Sequence, residues 1–163
     1  MREIPFDLSD KDILERLKNV PAFDNLPESH IRAVMKAASV CRYEAGETLI
    51  NQGDCDNRVF FLIFGKLSIL VADKQVGQLQ RLGDVFGEMG IIDGSPRSAT
   101  IKADRASLVI SLDDTAIGSL GETSKIFVQA VMYRVFAEVL AIRLREANQK
   151  ITSLQNELDK LKK

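Results

Sequence analysis

The sequence contains few of the residues from which metal and disulfide sites are built. Its 163 residues include one histidine, His30, and two cysteines, Cys41 and Cys55, which do not form a C-x-x-C pair. A single imidazole cannot supply a site with several histidine ligands, so we predict no metal centre. Two cysteines fit free thiols in a reducing compartment better than a disulfide framework.

Long apolar runs and an excess of basic charge are also missing. The first residues, MREIPFDLSDKD, contain no apolar run of signal-peptide type, and no stretch of about eighteen apolar residues occurs. We therefore expect a cytoplasmic protein without a membrane segment. The net charge of −1 disfavours binding of nucleic acid through a generally basic surface. The motifs G-x-x-x-x-G-K-[ST], G-x-S-x-G and H-E-x-x-H are absent too, which favours a binding module over an enzyme.

The composition, 45% hydrophobic and 28% charged, is that of a globular domain with a core of its own. Residues 10–39 carry apolar side chains at helical spacing, which predicts two short helices separated near Val20–Pro21 and Leu26–Pro27. Ser9 and Asp10 are candidate caps for the first helix. The residues that carry this spacing are Ile13, Leu14, Leu17, Val20, Ile31, Val34, Met35 and Ala38.

Residues 40–112 show a different pattern. Eight of the ten glycines lie between Gly46 and Gly94, and they separate short runs rich in β-branched and aromatic residues. RVFFLIFGKLSILVA predicts two strands with a hinge at Gly65, and KQVGQLQRL and RASLVISL predict further strands. We expect an α+β protein: an antiparallel β-roll or jelly roll with N-terminal helices and a long C-terminal helix.

Residues 124–163 contain neither glycine nor proline and keep a heptad pattern. This pattern favours a parallel two-stranded coiled coil and hence a homodimer, although a frayed monomeric tail is the alternative. Glu157 and Lys162 could form a pair between the two chains. We place the domain boundary between residues 1–123 and 124–163. The a positions are Ala137, Leu144, Ile151 and Leu158, and the d positions are Leu140, Ala147, Leu154 and Leu161.

The stretch FGEMGIIDGSPRSAT, residues 86–100, contains the most specific chemistry. Gly87 permits a tight turn and close approach of a ligand to the backbone. Arg97 can present a planar fork to a phosphate. Glu88 only accepts hydrogen bonds when it is ionised, so its partner should be a hydroxyl such as that of a ribose. Together these residue types indicate a site for a nucleotide monophosphate.

A plainer interpretation uses the same residues without a ligand. Glu88 would cap a turn, Arg97 would be a solvated loop residue or pair with Glu88 on the surface, and Pro96 would only fix the turn. The residue types alone leave this alternative open, because Gly-x-x-Gly and Pro-Arg-Ser are both common.

The order and spacing of the motifs resemble those of the cyclic nucleotide-binding domain family. Its phosphate-binding segment joins a Phe-Gly-Glu turn to a Pro-Arg-Ser closure, and both stand here as residues 86–88 and 96–98. EAGETLINQGD, FLIFGKLSIL and VPAFDNLPESHI resemble other parts of the family, so the resemblance covers about residues 14–148. It implies binding of cAMP or cGMP. The sequence leaves the choice between the two nucleotides open, and we favour cAMP.

The resemblance also implies a role for each site residue. Glu88 would bind the ribose 2′-hydroxyl and Arg97 the cyclic phosphate. Gly87 would admit the ligand. The remaining ligand-binding candidates, whose assignments are less specific, are Phe86, Met89, Ser98, Ala99 and Asn148.

The family also includes catabolite activator-type regulators, in which a helix-turn-helix domain follows the lid helix. The few residues after Leu144 keep heptad register, so we expect no direct DNA binding. The function this predicts is a cyclic nucleotide sensor that signals through its C-terminal helix, to a second copy or to a protein partner. The alternative is a coiled-coil oligomerisation adaptor with a ligand-independent β-roll.

Overall fold

The computed structural model describes residues 2–4 and 27–162. The described residues form nine strands and four helices. In chain order these elements are β1 (Arg2–Ile4), α1 (Glu28–Lys36), β2 (Ala38–Tyr43), β3 (Thr48–Ile50), β4 (Arg58–Phe64), β5 (Leu67–Val71), β6 (Lys74–Leu79), β7 (Val85–Phe86), α2 (Glu88–Asp93), β8 (Thr100–Ala103), β9 (Ser107–Asp113), α3 (Asp114–Gly118) and α4 (Glu122–Leu161).

The strands form two antiparallel sheets, as expected for a β-roll. The first sheet has the order β1-β2-β9-β4-β7 and the second has the order β3-β8-β5-β6. Gly65, at a φ of +124°, lies between β4 in the first sheet and β5 in the second. A Cβ at this glycine would collide with Ser107, so no other residue fits this crossing between the sheets.

One apolar cluster fills the inside of the roll. It takes residues from both sheets, and β4 contributes Phe60 and Leu62. Val59, Phe61 and Ile63 of the same strand are also buried, so both faces of β4 are covered. This explains why β4 is a continuous apolar run instead of an alternating one. The fully or nearly buried members of the cluster are Cys41, Tyr43, Leu49, Ile50, Phe60, Leu62, Leu67, Leu79, Phe86, Ile101, Ala103 and Val109.

The expected α+β class, the antiparallel roll and the long C-terminal helix are confirmed. The helix predicted around Val34 is α1, but the helical spacing assigned to Ala38 is wrong, because Ala38 begins β2 and pairs with Leu112. The helix predicted around Ile13 to Val20, with its caps, lies outside the described residues. Cys41 is buried and Cys55 is exposed, and no disulfide joins them or any other pair in the described part of the chain.

The chain divides into two compact units, Met1–Gln129 and Ala130–Lys163. The division falls within α4, which begins two residues before the boundary that we expected from the sequence. None of the helices in the described part of the chain combines the length and the apolar character needed to cross a membrane.

Candidate functional site

The 86–100 segment turns sharply at Gly87, between the end of β7 and the start of α2. Gly87 has a φ of +83°, a left-handed conformation that disfavours any side chain. A Cβ at this position would lie 2.7 Å from Nη1 of Arg97 and 2.8 Å from the carbonyl oxygen of Arg58. The glycine therefore serves both the turn and the close approach of the arginine. Glu88 is the first residue of the short helix α2.

Arg97 is buried, with its side chain only 3% exposed. Nη1 donates to the carbonyl of Gly87 and Nη2 to the carbonyl of Arg58, both at 2.6 Å. Its backbone N–H donates to the carbonyl of Asp54, and its own carbonyl accepts from Gly53, both at 2.8 Å. The two side-chain contacts hold the guanidinium between the Gly87 turn and the first residue of β4, and the two backbone contacts join residue 97 to the loop before β4. The interpretation of Arg97 as a solvated loop residue is therefore wrong.

Asp56 and Arg58 belong to this site, although the sequence analysis did not single them out. Oδ1 of Asp56 lies 3.2 Å from Nη2 of Arg97. Burial alone would raise the pKa of the Asp56 carboxyl, but hydrogen bonds from Arg58 and the charge of Arg97 hold that pKa below its ordinary value. Opposite charges two residues apart could have suggested the Asp56–Arg58 pair from sequence. The separation of Arg97 along the chain could not have suggested the third member.

The third nitrogen of the Arg97 guanidinium, Nε, differs from Nη1 and Nη2. Nε of Arg97 is buried and has no hydrogen-bond partner among the described residues. A buried donor without a partner is unfavourable, and a bound ion or water molecule is one explanation for such a group in a native protein. The donor set at Arg97 thus suits an acceptor such as a phosphate oxygen.

Glu88, at the first position of α2, is also buried, and only 2% of the residue is exposed. Phe86, just before it, is buried and stacks on Phe60 with ring centroids 5.1 Å apart. The site thus contains one buried carboxylate and one buried guanidinium on the two sides of a glycine turn. A pair of solvated surface charges, the plainer interpretation, does not fit this burial.

The other candidate residues are more exposed. Met89 and Ser98 are both exposed, and the Ser98 hydroxyl donates to Sδ of Met89 at 3.8 Å. Ala99 is half-buried next to them. The structure therefore brings together the candidates of the 86–100 segment. Asn148 is exposed on α4 in the Ala130–Lys163 unit, and a contact of Asn148 with a ligand stays a prediction.

Within the residues that the structure describes, no cluster of three or more histidine, cysteine or acidic side chains could hold a metal ion. The 86–100 site itself has one buried carboxylate, that of Glu88, one buried cation, that of Arg97, and a glycine turn between them in the sequence. These groups suit recognition of a small anionic molecule with a hydroxyl group.

Comparison with known proteins agrees with this chemistry. Residues 40–124 match the family model described as a cyclic nucleotide-binding domain. The cGMP-dependent protein kinase of Eimeria tenella is 29% identical over 126 residues, which are 73% of this chain and 12% of the kinase. The cAMP-dependent protein kinase type II regulatory subunit of Drosophila melanogaster is 27% identical over 101 residues, 62% of this chain and 26% of the subunit. The chain therefore spans only a small part of the length of these relatives.

A solved structure shows the same fold. The crystal structure of a cyclic nucleotide-binding domain from Methylobacillus flagellatus superimposes with a TM-score of 0.73 at 20% identity. The match covers 86% of this chain and 81% of that one. The fold likeness thus extends beyond the residues that the family model matches.

Proposed function

The chain belongs to the cyclic nucleotide-binding domain family, whose members are regulatory modules, and from this premise we propose that it binds cAMP at the 86–100 segment and signals through α4. Arg97 binds the cyclic phosphate in this proposal, and Glu88 accepts a hydrogen bond from the ribose 2′-hydroxyl.

The observation that carries the proposal is the buried Nε of Arg97, which has no partner among the described residues. Nη1 and Nη2 already donate to backbone carbonyls, so they hold the guanidinium in place before any ligand arrives. A phosphate oxygen at Nε would complete the hydrogen bonding of the arginine and balance a buried positive charge. A prepositioned donor loses little conformational entropy when the ligand binds.

The proposed contact of Glu88 follows from its burial and position. Each oxygen of an ionised carboxylate accepts more than one hydrogen bond, so Glu88 can accept from the ribose 2′-hydroxyl in addition to its contacts within the protein. Gly87 lets the Arg97 guanidinium approach the turn that precedes Glu88, because it has no side chain. Phe86 supports the turn from within the apolar cluster, and Met89, Ser98 and Ala99 border the site in this proposal.

We propose cAMP as the preferred nucleotide and keep cGMP as the alternative. The residue that could select guanine is Ser98, whose hydroxyl could accept from the guanine amine. Ser98 is exposed, so water competes for this hydroxyl and the contact gives cGMP little advantage. The relatives include both cGMP-dependent and cAMP-dependent proteins, so both nucleotides belong in the test.

Calorimetric titration of the whole chain with cAMP, cGMP and 5′-AMP tests the proposal. We expect binding of cAMP with a dissociation constant well below that for cGMP, and at least about tenfold weaker binding of 5′-AMP, which carries an open dianionic phosphate. If neither cyclic nucleotide binds, the ligand-independent adaptor becomes the better interpretation. If cGMP binds more tightly, only the proposed preference is wrong.

We further propose that α4 transmits the signal by pairing with a second copy of itself. The heptad positions Leu144, Ile151 and Leu158 are exposed on α4, as are Leu154 and Leu161. Ala130 and Tyr133, one heptad before Ala137 and Leu140, continue the same a and d positions and are also exposed, whereas Leu140 is half-buried. The exposed seam therefore has about 46 Å of helix at about 1.5 Å per residue. Self-pairing would remove these apolar side chains from water.

A further inference from the structure

The Arg58 guanidinium binds both carboxylate oxygens of Asp56. Its Nε lies 3.0 Å from Oδ1 and 3.2 Å from Oδ2 of Asp56, and its Nη2 lies 2.8 Å from Oδ2. The Arg58 backbone N–H also donates to Oδ1 at 2.9 Å. The guanidinium of Arg58 is further fixed above the ring of Phe60, 5.6 Å from its centroid. Both oxygens of Asp56 are thus engaged by Arg58.

Arg97 reaches the same carboxylate through Nη2, which lies 3.2 Å from Oδ1 of Asp56. Among Asp56, Arg58 and Arg97, two positive guanidinium groups share one negative carboxylate, so this cluster of three residues together carries a net charge of +1. Because Arg58 binds Asp56 through more and shorter contacts, most of the neutralisation falls on Arg58. The charge left over is therefore mainly that of the buried Arg97.

We propose that Arg58 is a positioning residue that keeps Arg97 electrostatically free for the phosphate by occupying the Asp56 carboxylate. The inference rests on the proposed function of the site. Without the Arg58 side chain, the only cation beside Asp56 in the cluster is Arg97, and the pair becomes neutral. Two features of the site do not depend on this side chain: the carbonyl of residue 58, which accepts from Nη2 of Arg97, and the carbonyl of Gly87. A substitution of Arg58 thus changes the charge around Arg97 more than its position.

The test is titration of the whole chain with cAMP and with cGMP after substitution of Arg58. We expect Arg58→Met to weaken binding by about tenfold, equal to about 1.4 kcal/mol, and Arg58→Lys to stay within about threefold of the wild type. The affinity of Arg58→Met should also depend less on salt concentration, because a neutral cluster attracts an anion less. Arg105→Met is the matched control, since Arg105 also lies over a phenylalanine ring, Phe64, and donates to a backbone carbonyl. It should leave the affinity unchanged.

A second substitution separates charge from folding. Asp56→Asn added to Arg58→Met removes the negative charge and restores one unbalanced positive charge, so it should regain most of the lost affinity. A merely structural role of Arg58 predicts the opposite, because removal of a second hydrogen-bonding group would weaken the site further. Thermal unfolding of each variant identifies any that fail to fold.

Three outcomes would overturn the proposal. The first is an affinity of Arg58→Met equal to that of the wild type. The second is a double variant that binds no more tightly than Arg58→Met, and the third is an equal loss of affinity in Arg58→Lys and Arg58→Met. These outcomes leave the proposed function intact as long as the wild type binds. Failure of the wild type to bind either nucleotide would overturn the proposed function and this inference together.

Discussion

Nη1 of Arg97 donates a hydrogen bond of 2.6 Å to the backbone carbonyl of Gly87, which joins the two ends of the candidate site. The approach is this close because residue 87 has no side chain and adopts a φ of +83°. The glycine turn and the arginine are therefore one unit, and a change to either should affect both ligand binding and stability.

Gly87→Ala should destabilise the fold and weaken binding of cAMP. The new Cβ would contact Nη1 of Arg97 and the carbonyl of Arg58 at less than 3 Å, and alanine disfavours a positive φ by about 1–2 kcal/mol. We expect a loss of at least about 2 kcal/mol of unfolding free energy in urea. Gly94→Ala is the control, because Gly94 has a φ of +68° but open space around its Cβ position. If both variants lose equally, the contact with Arg97 has no special importance.

Arg97→Leu should weaken cAMP binding by at least about 100-fold. The charge-assisted hydrogen bond from Nε contributes about 1.5–3 kcal/mol, a factor of about 10 to 140, and loss of the positive charge of the guanidinium adds to it. The variant also removes the bonds to Gly87 and Arg58, so its melting temperature must be measured alongside the titration. Arg97→Lys keeps the positive charge without the planar fork, so its cAMP affinity should lie between those of the wild type and Arg97→Leu. Unchanged cAMP affinity in a folded Arg97→Leu would refute the proposed function.

Glu88 should determine whether the ribose 2′-hydroxyl is recognised. In the wild type, 2′-deoxy-cAMP should bind worse than cAMP, because the buried carboxylate loses a donor. In Glu88→Ala this discrimination should largely vanish, while the requirement for a cyclic phosphate persists. Glu88→Gln retains an acceptor oxygen and should lose less affinity than Glu88→Ala. Competition titrations with both nucleotides measure the effect, and an equal preference for cAMP in Glu88→Ala and the wild type would contradict it.

The stability contribution of Asp56 should depend on pH. Its pKa in the folded protein lies below the ordinary value of about 3.9. The contribution is therefore fully present above the unfolded-state pKa and is lost as the pH falls through the lower, folded-state pKa. The difference in unfolding free energy between wild type and Asp56→Asn should be constant from about pH 5 to 7 and shrink below about pH 4. Urea denaturation at several pH values measures this difference, and a constant difference down to about pH 3 would argue against an ionised Asp56.

The exposed seam of α4 should support a dimer. Ile151→Asp combined with Leu154→Asp should give a monomer in light scattering, because two buried charges would face their own copies in a parallel pair. The control is Gln149→Asp with Thr152→Asp, which adds the same charge to α4 outside the a and d positions. A dimer that survives the first pair of changes would show that the seam is not the interface.

Cross-linking tests how far the same seam extends. In a background with Cys55→Ser, Ala130→Cys at an a position should form a disulfide between the two copies, and Glu138→Cys at a b position should not. Ala137→Cys, at the first a position that the sequence predicted, should also form a disulfide. If Ala137→Cys forms one and Ala130→Cys does not, the pairing is limited to the part of the seam that the sequence predicted.

The sequence by itself determined the class of fold and the chemistry of the 86–100 segment. Glycine punctuation and the period of the apolar residues are local signals, and they predicted the hinge at Gly65 and the two strands that it joins. The residue types Glu88 and Arg97 limited what they could bind, because an ionised carboxylate only accepts hydrogen bonds and a guanidinium only donates them.

Only the tertiary structure decided how these local pieces meet. The hinge at Gly65 takes the chain from one sheet to the other. This crossing depends on pairings between strands that are distant in the sequence, such as β4 with β9 and β5 with β8. The tight turn between β5 and β6 uses Ala72 and Asp73 at positive φ, which residue preferences disfavour. The burial of Arg97 and its ion pair with Asp56 depend on contacts between segments that are distant in sequence. A pattern of residue types contains no information about these distances, because packing of the whole chain sets them.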